Sequence, residues 1–298
     1  MAASSAPCRG HCMSRRAYQK LNGKTALVTG GARGIGFETT RRLVAAGVTS
    51  TIWDLDAEGL ETAREELVRA TPGHEDGIFT CQCDVTNPVE LESAVDRAQR
   101  EMGRIDVLVN NAGLLSAGPF ASQDPQAQHM MIDVNLTGVV TLTRLVLPLM
   151  HENGEGHVVN IASAGSTLGV PDLAVYTATK WAVWGLTESL RHEAWNEGQR
   201  NVRFSSVHPN YVATGLFEGA RIPGLGGILV PQVASHDHVA RAVVEKCLVR
   251  RRQQVLMPSS VRFAILLRAL LPYPLFLSVV RALGVHRSMA GWHGYSSE

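Results

Sequence analysis

Short, nearly unbroken apolar runs alternate along this chain with longer stretches whose apolar residues recur at helical spacing. Thr25-Ala-Leu-Val-Thr29, Ile105-Asp-Val-Leu-Val109 and Val158-Val-Asn-Ile161 are of the first kind. A strand with one wet face alternates apolar and polar residues. A strand covered on both faces does not, so these runs predict a parallel sheet between layers of helices. Strands are expected near 25–29, 49–53, 77–83, 105–109, 156–161 and 202–207, and helices near 35–46, 57–70, 88–102, 124–151, 175–198 and 236–249. This alternation predicts an α/β fold, a single doubly wound domain with a mostly parallel sheet and helices on both faces. The pattern places a flexible extension at 1–21, the folded domain at 22–258 and an apolar tail at 259–298.

Composition excludes some functions without choosing one. Apolar residues make up 45% and charged residues 18% of the 298, which is ordinary for a soluble domain. Basic and acidic residues number 28 and 27, so no basic field favours nucleic acid, and none is expected as a partner. The five cysteines are odd in number and scattered, unlike a disulfide framework. Cys81 and Cys83 sit in a strand-like run and read as buried thiols. No second Cys/His cluster follows them, and no metal site is expected. Cys8 and His11-Cys12 lie in the extension, which lacks the apolar core of a secretory signal. A reducing, cytoplasmic setting follows.

The first strand-to-helix junction carries Gly30-Gly-Ala-Arg33-Gly34-Ile35-Gly36. Glycines there permit a tight turn and close backbone approach to a pyrophosphate, and the helix start presents N–H groups to it. The second strand ends at Asp54, about twenty residues on, where a carboxylate accepts from a ribose 2′-hydroxyl and repels a 2′-phosphate. NAD is therefore expected over NADP as cofactor. Arg33, whose cation could reach a 2′-phosphate, argues the other way.

Further along, Tyr176 precedes Lys180 by four residues in a helical stretch, which puts phenol and ammonium on one face. A free tyrosine, with a pKa of about 10, is a poor base at neutral pH. A fixed cation nearby favours the phenolate and makes it a usable acid/base. Ser163 precedes Tyr176 in a loop of small residues, where its hydroxyl could hold a substrate oxygen.

The spacing Thr29-Gly30-x-x-x-Gly34-x-Gly36, taken with Tyr176-x-x-x-Lys180, resembles the short-chain dehydrogenase/reductase family over about residues 22–260. The resemblance implies a Rossmann-type domain and extends through further motifs in the family's order. Asp84-Val85 would lie near the adenine, and the turn Asn110-Asn111-Ala112-Gly113 beside the cofactor. Asn135 would help hold a proton-relay water. Ser163, thirteen residues before Tyr176, falls at the family's serine spacing. Pro209-Asn-Tyr-Val212-Ala-Thr214 resembles the segment that contacts the nicotinamide carboxamide, with Asn210 where glycine is usual. Asparagine there is expected to tolerate the positive φ that a glycine would adopt. The implied catalytic residues are Asn135, Ser163, Tyr176 and Lys180. Those implied to bind cofactor are Gly30, Arg33, Gly34, Ile35, Gly36, Asp54, Asp84, Val85, Asn111, Ala112, Gly113, Tyr176, Lys180, Pro209, Val212 and Thr214.

Residues 215–233, rich in Gly, Pro, Leu and Ile, suit a lid over an apolar substrate. The tail holds two short apolar helical pieces interrupted by Arg262, Arg268 and Arg281 and by Pro272 and Pro274. It contains no uncharged run of about 18 residues, as a spanning helix requires. Three roles suit it: a cap on the pocket, a subunit contact or a peripheral membrane contact. Its Leu-Leu-Pro, with Trp53-Asp54 and Asn160-Ile-Ala-Ser163, resembles the branch of retinol and 17β-hydroxysteroid dehydrogenases. The expected function is reversible hydride transfer between NAD and a hydrophobic alcohol or ketone, a retinoid, steroid or lipid. An NADPH-dependent ketone reductase and a non-catalytic NAD-binding scaffold are the alternatives. The resemblance also implies a homodimer or homotetramer built through the long helices.

Overall fold

A computed structural model describes residues 18–290 and Trp292. Seven strands form one sheet in the order β3-β2-β1-β4-β5-β6-β7. They are β1 (Thr25–Thr29), β2 (Thr49–Asp54), β3 (Ile78–Gln82), β4 (Val107–Asn110), β5 (Gly156–Ile161), β6 (Val202–Pro209) and β7 (Gln254–Met257). Every neighbouring pair is parallel. The order reverses beside β1, between the crossovers to β2 and to β4, and so opens a crevice at the carboxyl ends of these strands.

Helices cover both faces: α1 (Gly34–Val44), α2 (Ala57–Ala70), α3 (Pro88–Met102), α4 (Pro125–Ile132), α5 (Gly138–Glu152), α6 (Ala174–Asn196), α7 (Gly224–Leu229) and α8 (His236–Arg241). Their starts are chemically marked. The Asp56 carboxylate accepts from Gly59 N at the head of α2, and Asn87 caps α3 with proline in its first turn. The strand residues divide between two cores. One, around Val28, Ile52, Val109 and Val243, lies on the α1 and α2 side; the other, around Leu27, Trp53, Leu108 and Phe204, lies on the α3 and α5 side. Cys81 and Cys83 are free buried thiols, whereas Cys8 and Cys12 lie outside the described residues.

Four expectations need correction. Gln254–Met257 forms an edge strand that its short run, between Arg250-Arg-Arg-Gln253 and Pro258, did not announce. The helix expected at 124–151 is divided by a π-turn over Asp133–Thr137, and the one at 236–249 passes into π geometry over Ala242–Val249. The extension expected to reach residue 21 is folded from Tyr18 onward: Leu21 is buried in the core and the Tyr18 hydroxyl donates to Glu245 at 2.9 Å. The run Pro125–Glu152 is long and apolar enough by composition to cross a membrane, yet Met131, Val139, Leu142 and Met150 on it are buried in this body.

Beyond β7, α9 (Val261–Leu270) and α10 (Tyr273–Ala282) pack beside Ser163 and Tyr176. This tail is stitched to the segment after β6. Ser288 O accepts from Arg221 N at 2.9 Å, its hydroxyl meets the Tyr211 hydroxyl at 2.9 Å, and Trp292 Nε1 donates to Leu216 O at 3.2 Å.

Candidate active site

The glycine loop leaves β1 with Gly30 at φ +62° and reaches α1 through Gly34 at φ +59°, values that favour glycine. A Cβ on Gly36 would stand 2.1 Å from Gly30 O, so the turn closes only without side chains. Arg33, at the N-cap of α1, makes no side-chain cap, which leaves the amides of this helix start to other acceptors. Asp54 anchors the loop from β2: Oδ2 accepts from Ala32 N at 3.1 Å and Oδ1 from Asp56 N at 3.2 Å. The Arg33 guanidinium comes within 3.9 Å of Asp56. A side-chain-free cradle at a helix start, with an acid at the end of the second strand, fits a dinucleotide.

The turn after β4 is bonded to that cradle. Thr29 Oγ1 accepts from Asn111 N and Ala112 N at 3.0 and 3.1 Å, while Asn111 Nδ2 donates to Thr29 O and Gly30 O, both at 3.0 Å. Asn110 instead turns into the core, donating to Asn160 Oδ1 at 2.8 Å and Thr143 Oγ1 at 3.1 Å. Asp84 is held within its own turn, accepting from Thr86 N and Thr86 Oγ1 at 2.8 Å each. Val85 lies against α5, its carbonyl oxygen 2.7 Å from where a Cβ on Gly138 would stand.

Asn135 is fully buried at the π-turn, and the turn has a visible partner. Its amide pairs with both backbone groups of Leu114, accepting from N at 2.7 Å and donating to O at 2.9 Å. Asn135 is thereby fixed beside Gly113. A Cβ on Gly113 would meet Asn135 Oδ1 at 3.2 Å and Lys180 Nζ at 3.7 Å.

Ser163 follows β5, and Tyr176 and Lys180 occupy the first turns of α6; all three are buried. The Tyr176 hydroxyl is hydrogen-bonded to the Ser163 side chain, and Ser163 Oγ accepts from Gly165 N at 3.1 Å. Ser166 serves structure: its hydroxyl donates to Ser163 O at 2.5 Å and contacts His208 Nδ1 at 2.7 Å. Lys180 Nζ donates to Ile161 O at 3.0 Å and lies 5.8 Å from the Tyr176 ring centroid. Burial lowers the lysine to about 8. Burial also raises the Tyr176 phenol well above its usual value, against the opposing bond from Ser163. Desolvation is the larger of the two effects in this buried position.

Pro209 ends β6 and leads into the remaining predicted residues. The main chain of Asn210 does not adopt a positive φ. Its side-chain Nδ2 donates to Val230 O and Pro231 O, both at 3.0 Å, and Val212 bridges to Val233. These bonds close the base of the glycine-rich segment, with Thr214 just inside it. Thr214 Oγ1 lies 3.5 Å from His236 Nδ1. His236 belongs to no motif, so nothing in the sequence singled it out.

Ser163 and Tyr176 open into a cavity of about 250 Å³. Its walls are Leu168 and Val170 before α6, Leu229 from α7, Phe263 and Leu267 from α9, and Phe276 and Val280 from α10. The tail thus forms a wall of the pocket. Its apolar positions were a sequence signal; their orientation toward Tyr176 is tertiary. Among the described residues, no group of three or more His, Cys, Asp or Glu could hold a metal ion.

A family model for short chain dehydrogenases matches residues 24–222. The chain is 40% identical over 196 residues to a 3-alpha-(or 20-beta)-hydroxysteroid dehydrogenase of Mycobacterium tuberculosis, covering 65% of this chain and 71% of the relative. It is 29% identical over 280 residues to human epidermal retinol dehydrogenase 2, covering 92% and 86%. It is 30% identical over 264 residues to mouse estradiol 17-beta-dehydrogenase 11, covering 88% and 84%. Among solved structures, a Brucella melitensis 3-ketoacyl-(acyl-carrier-protein) reductase complexed with NADH matches with a TM-score of 0.70 and 28% identity, over 79% of this chain and 96% of that one. A metagenomic short-chain oxidoreductase in complex with NADP matches with a TM-score of 0.64 and 30% identity, over 79% and 96%.

Proposed function

The chain belongs to the short-chain dehydrogenase family, and on that premise we propose that it interconverts a hydrophobic alcohol, secondary or primary, and its carbonyl product with NAD. It is an NAD(P)-dependent oxidoreductase of the branch that includes retinol and hydroxysteroid dehydrogenases. One observation carries the substrate class. The Tyr176 hydroxyl, bonded to Ser163, faces a cavity walled by aliphatic and aromatic side chains from four segments of the chain. Leaving such walls in contact with water is costly, and an apolar substrate relieves that cost. Ser260 Oγ, buried on the same cavity without a hydrogen-bond partner, favours a substrate with a second polar group.

Each residue then has a role. Tyr176 takes the hydroxyl proton in oxidation and returns it in reduction. Ser163 orients the substrate oxygen and stabilises the charge that develops on it. Lys180, between Ile161 O and the Gly113 turn, supports the phenol and would hold the nicotinamide ribose. Asn135, fixed by Leu114, supports a proton path outward. Gly30, Arg33, Gly34, Ile35 and Gly36 would hold the dinucleotide's phosphates, Asp54 its adenosine ribose, and Asp84 and Val85 its adenine. Asn111, Ala112, Gly113, Pro209, Val212 and Thr214 would frame the nicotinamide. The bound nicotinamide supplies the hydride acceptor or donor.

Asp54 supports NAD over NADP, because its carboxylate is held at the end of β2 by two backbone amides. Arg33, which could favour a 2′-phosphate, is drawn toward Asp56. Exposed Phe263, Leu266 and Leu270, with Arg262 on the same helix, support a peripheral lipid contact beside the pocket. Exposed Val140 and Trp195 support pairing of two copies through α5 and α6, which light scattering measures.

The test of the whole reading is an NADH-absorbance screen over steroids, retinoids, terpene alcohols and long-chain alcohols. We expect turnover with at least one rigid apolar alcohol. Turnover confined to short hydrophilic alcohols would sink the assignment of substrate class.

A further inference from the structure

His236 stands where two parts of the cofactor crevice meet, and none of the motifs above includes it. It is the first residue of α8, and this helix start is locked against α1. The Asp237 carboxylate receives Arg42 Nε at 2.8 Å, Arg42 Nη2 at 2.7 Å and Arg41 Nη2 at 3.1 Å. With its backbone so fixed, the half-buried imidazole projects between the glycine loop and the start of the lid. A Cβ on Gly34 would lie 3.7 Å from its Nε2 and Cδ2. A Cβ on Gly215 would lie 3.1 Å from Nε2 and 3.2 Å from Cε1. Gly34 and Gly215 both have positive φ, so the ring sits in a notch kept open by two residues without side chains.

The ring's polar surroundings are informative. Nδ1 lies 3.5 Å from Thr214 Oγ1, which occupies that edge. Nε2 lies between the Gly34 and Gly215 positions, 3.7 and 3.1 Å from where their Cβ atoms would stand, beside the start of α1, whose N-cap side chain makes no cap bond. The nearby acid, Glu38, acts on the ring only through space, its carboxylate being held by Arg41 at 2.6 and 2.8 Å. Burial lowers the affinity of the ring for a proton, with the charge of Glu38 and a bond to the Thr214 backbone opposing. A nitrogen beside a helix start and a glycine cradle, and not engaged by a carboxylate, is suited to an anionic oxygen there.

We propose that His236 is a ligand of the dinucleotide's diphosphate, donating from Nε2 to a phosphate oxygen held at the glycine loop while Thr214 steadies Nδ1. This assignment rests on the reading that the chain binds NAD. It makes α8 part of the cofactor site: the Asp237 clamp to Arg41 and Arg42 would set the height of the ring above Gly34.

Binding without turnover tests it. NAD, ADP-ribose and adenosine are titrated by calorimetry or by displacement of NADH fluorescence, against wild type, His236→Ala and His236→Gln. Loss of one hydrogen bond to a charged group predicts roughly tenfold weaker binding of NAD and ADP-ribose by His236→Ala. Adenosine, which lacks the diphosphate, should bind unchanged, and His236→Gln, which keeps a donor, should recover most of the loss. Equal affinity of wild type and His236→Ala for ADP-ribose would overturn the proposal. Parallel weakening of all three ligands would overturn it too, because the residue would then only shape the fold. A wild type that binds neither NAD nor ADP-ribose would instead remove the reading on which it rests.

Discussion

Lys180 donates to the Ile161 carbonyl at 3.0 Å and so holds its ammonium to one side of the Tyr176 ring. The two side chains are buried together, and burial makes both charged forms costly: the lysine falls to about 8 and the phenol rises. In the proposed mechanism, deprotonating Tyr176 is therefore the demanding step of alcohol oxidation. Oxidation should speed up as pH rises above neutrality, and ketone reduction, which needs the protonated phenol, should not. Lys180→Met should lower oxidation roughly a hundredfold, the scale of a lost acid/base activator, and move its rise to higher pH. Initial rates in both directions across pH 6 to about 10 decide the matter.

Lys180 also links pH to stability. Its folded pKa of about 8 lies below the usual 10.5, so the unfolded chain binds more protons between those values. Stability from this residue is thus gained as pH rises through that window and is reduced below it. Wild-type thermal melts should rise between pH 8 and 10, and those of Lys180→Met should lack that rise.

Two buried histidines set the acid side. His157, beside Ser205, and His208, between Ser166 and Ser206, are pushed down to about 3 and about 4 by burial. Their unfolded value is 6.5, so the unfolded state takes up protons first and stability falls as pH drops from 6.5 toward 4. The melting temperature should fall across that interval, and His157→Gln should flatten the slope even where it lowers the melting temperature at pH 7.

Much of this fold was legible because β1, β4 and β5 are buried on both faces and so wear continuous apolar runs. The Tyr176–Lys180 pair was legible because a helix puts positions four apart on one face. What escaped depends on partners distant in sequence. The π-turn at Asn135 rests on Leu114, 21 residues away. β7 is a short strand that gains its place only by pairing with β6. Asn210, read as a tolerant stand-in for glycine, is instead a clasp on residues 230 and 231.

That clasp predicts the behaviour of Asn210→Gly. Two hydrogen bonds to residues 230 and 231, at the base of the glycine-rich segment, are lost, at about 1 kcal/mol each. The KM for an apolar substrate should rise several-fold and proteolytic cleavage between residues 215 and 230 should quicken. An unchanged KM and an unchanged cleavage rate would mean that the lid is held by other contacts.

Pocket size should decide the substrate. Ala264 faces the cavity from α9, and Ala264→Trp should fill part of it. Turnover of steroid- or retinoid-sized alcohols should fall at least about tenfold, as expected when a pocket no longer accommodates a large apolar group, while short alcohols change little. Equal losses for both would place the large substrate elsewhere.

Asp54→Ala should relax cofactor choice, raising the ratio of NADP to NAD efficiency by about tenfold or more through loss of charge repulsion. Paired titrations with the two cofactors measure it directly.

The central claim is that the Tyr176 hydroxyl carries the proton of a hydride-transfer reaction. Tyr176→Phe removes that one oxygen and keeps the ring that meets Phe217 edge-on at 5.6 Å between centroids. NAD-linked oxidation of the best apolar alcohol should fall by roughly a thousandfold, within the range of general acid–base catalysis, while NAD affinity and melting temperature stay near wild type. Turnover within a few-fold of wild type would contradict the account.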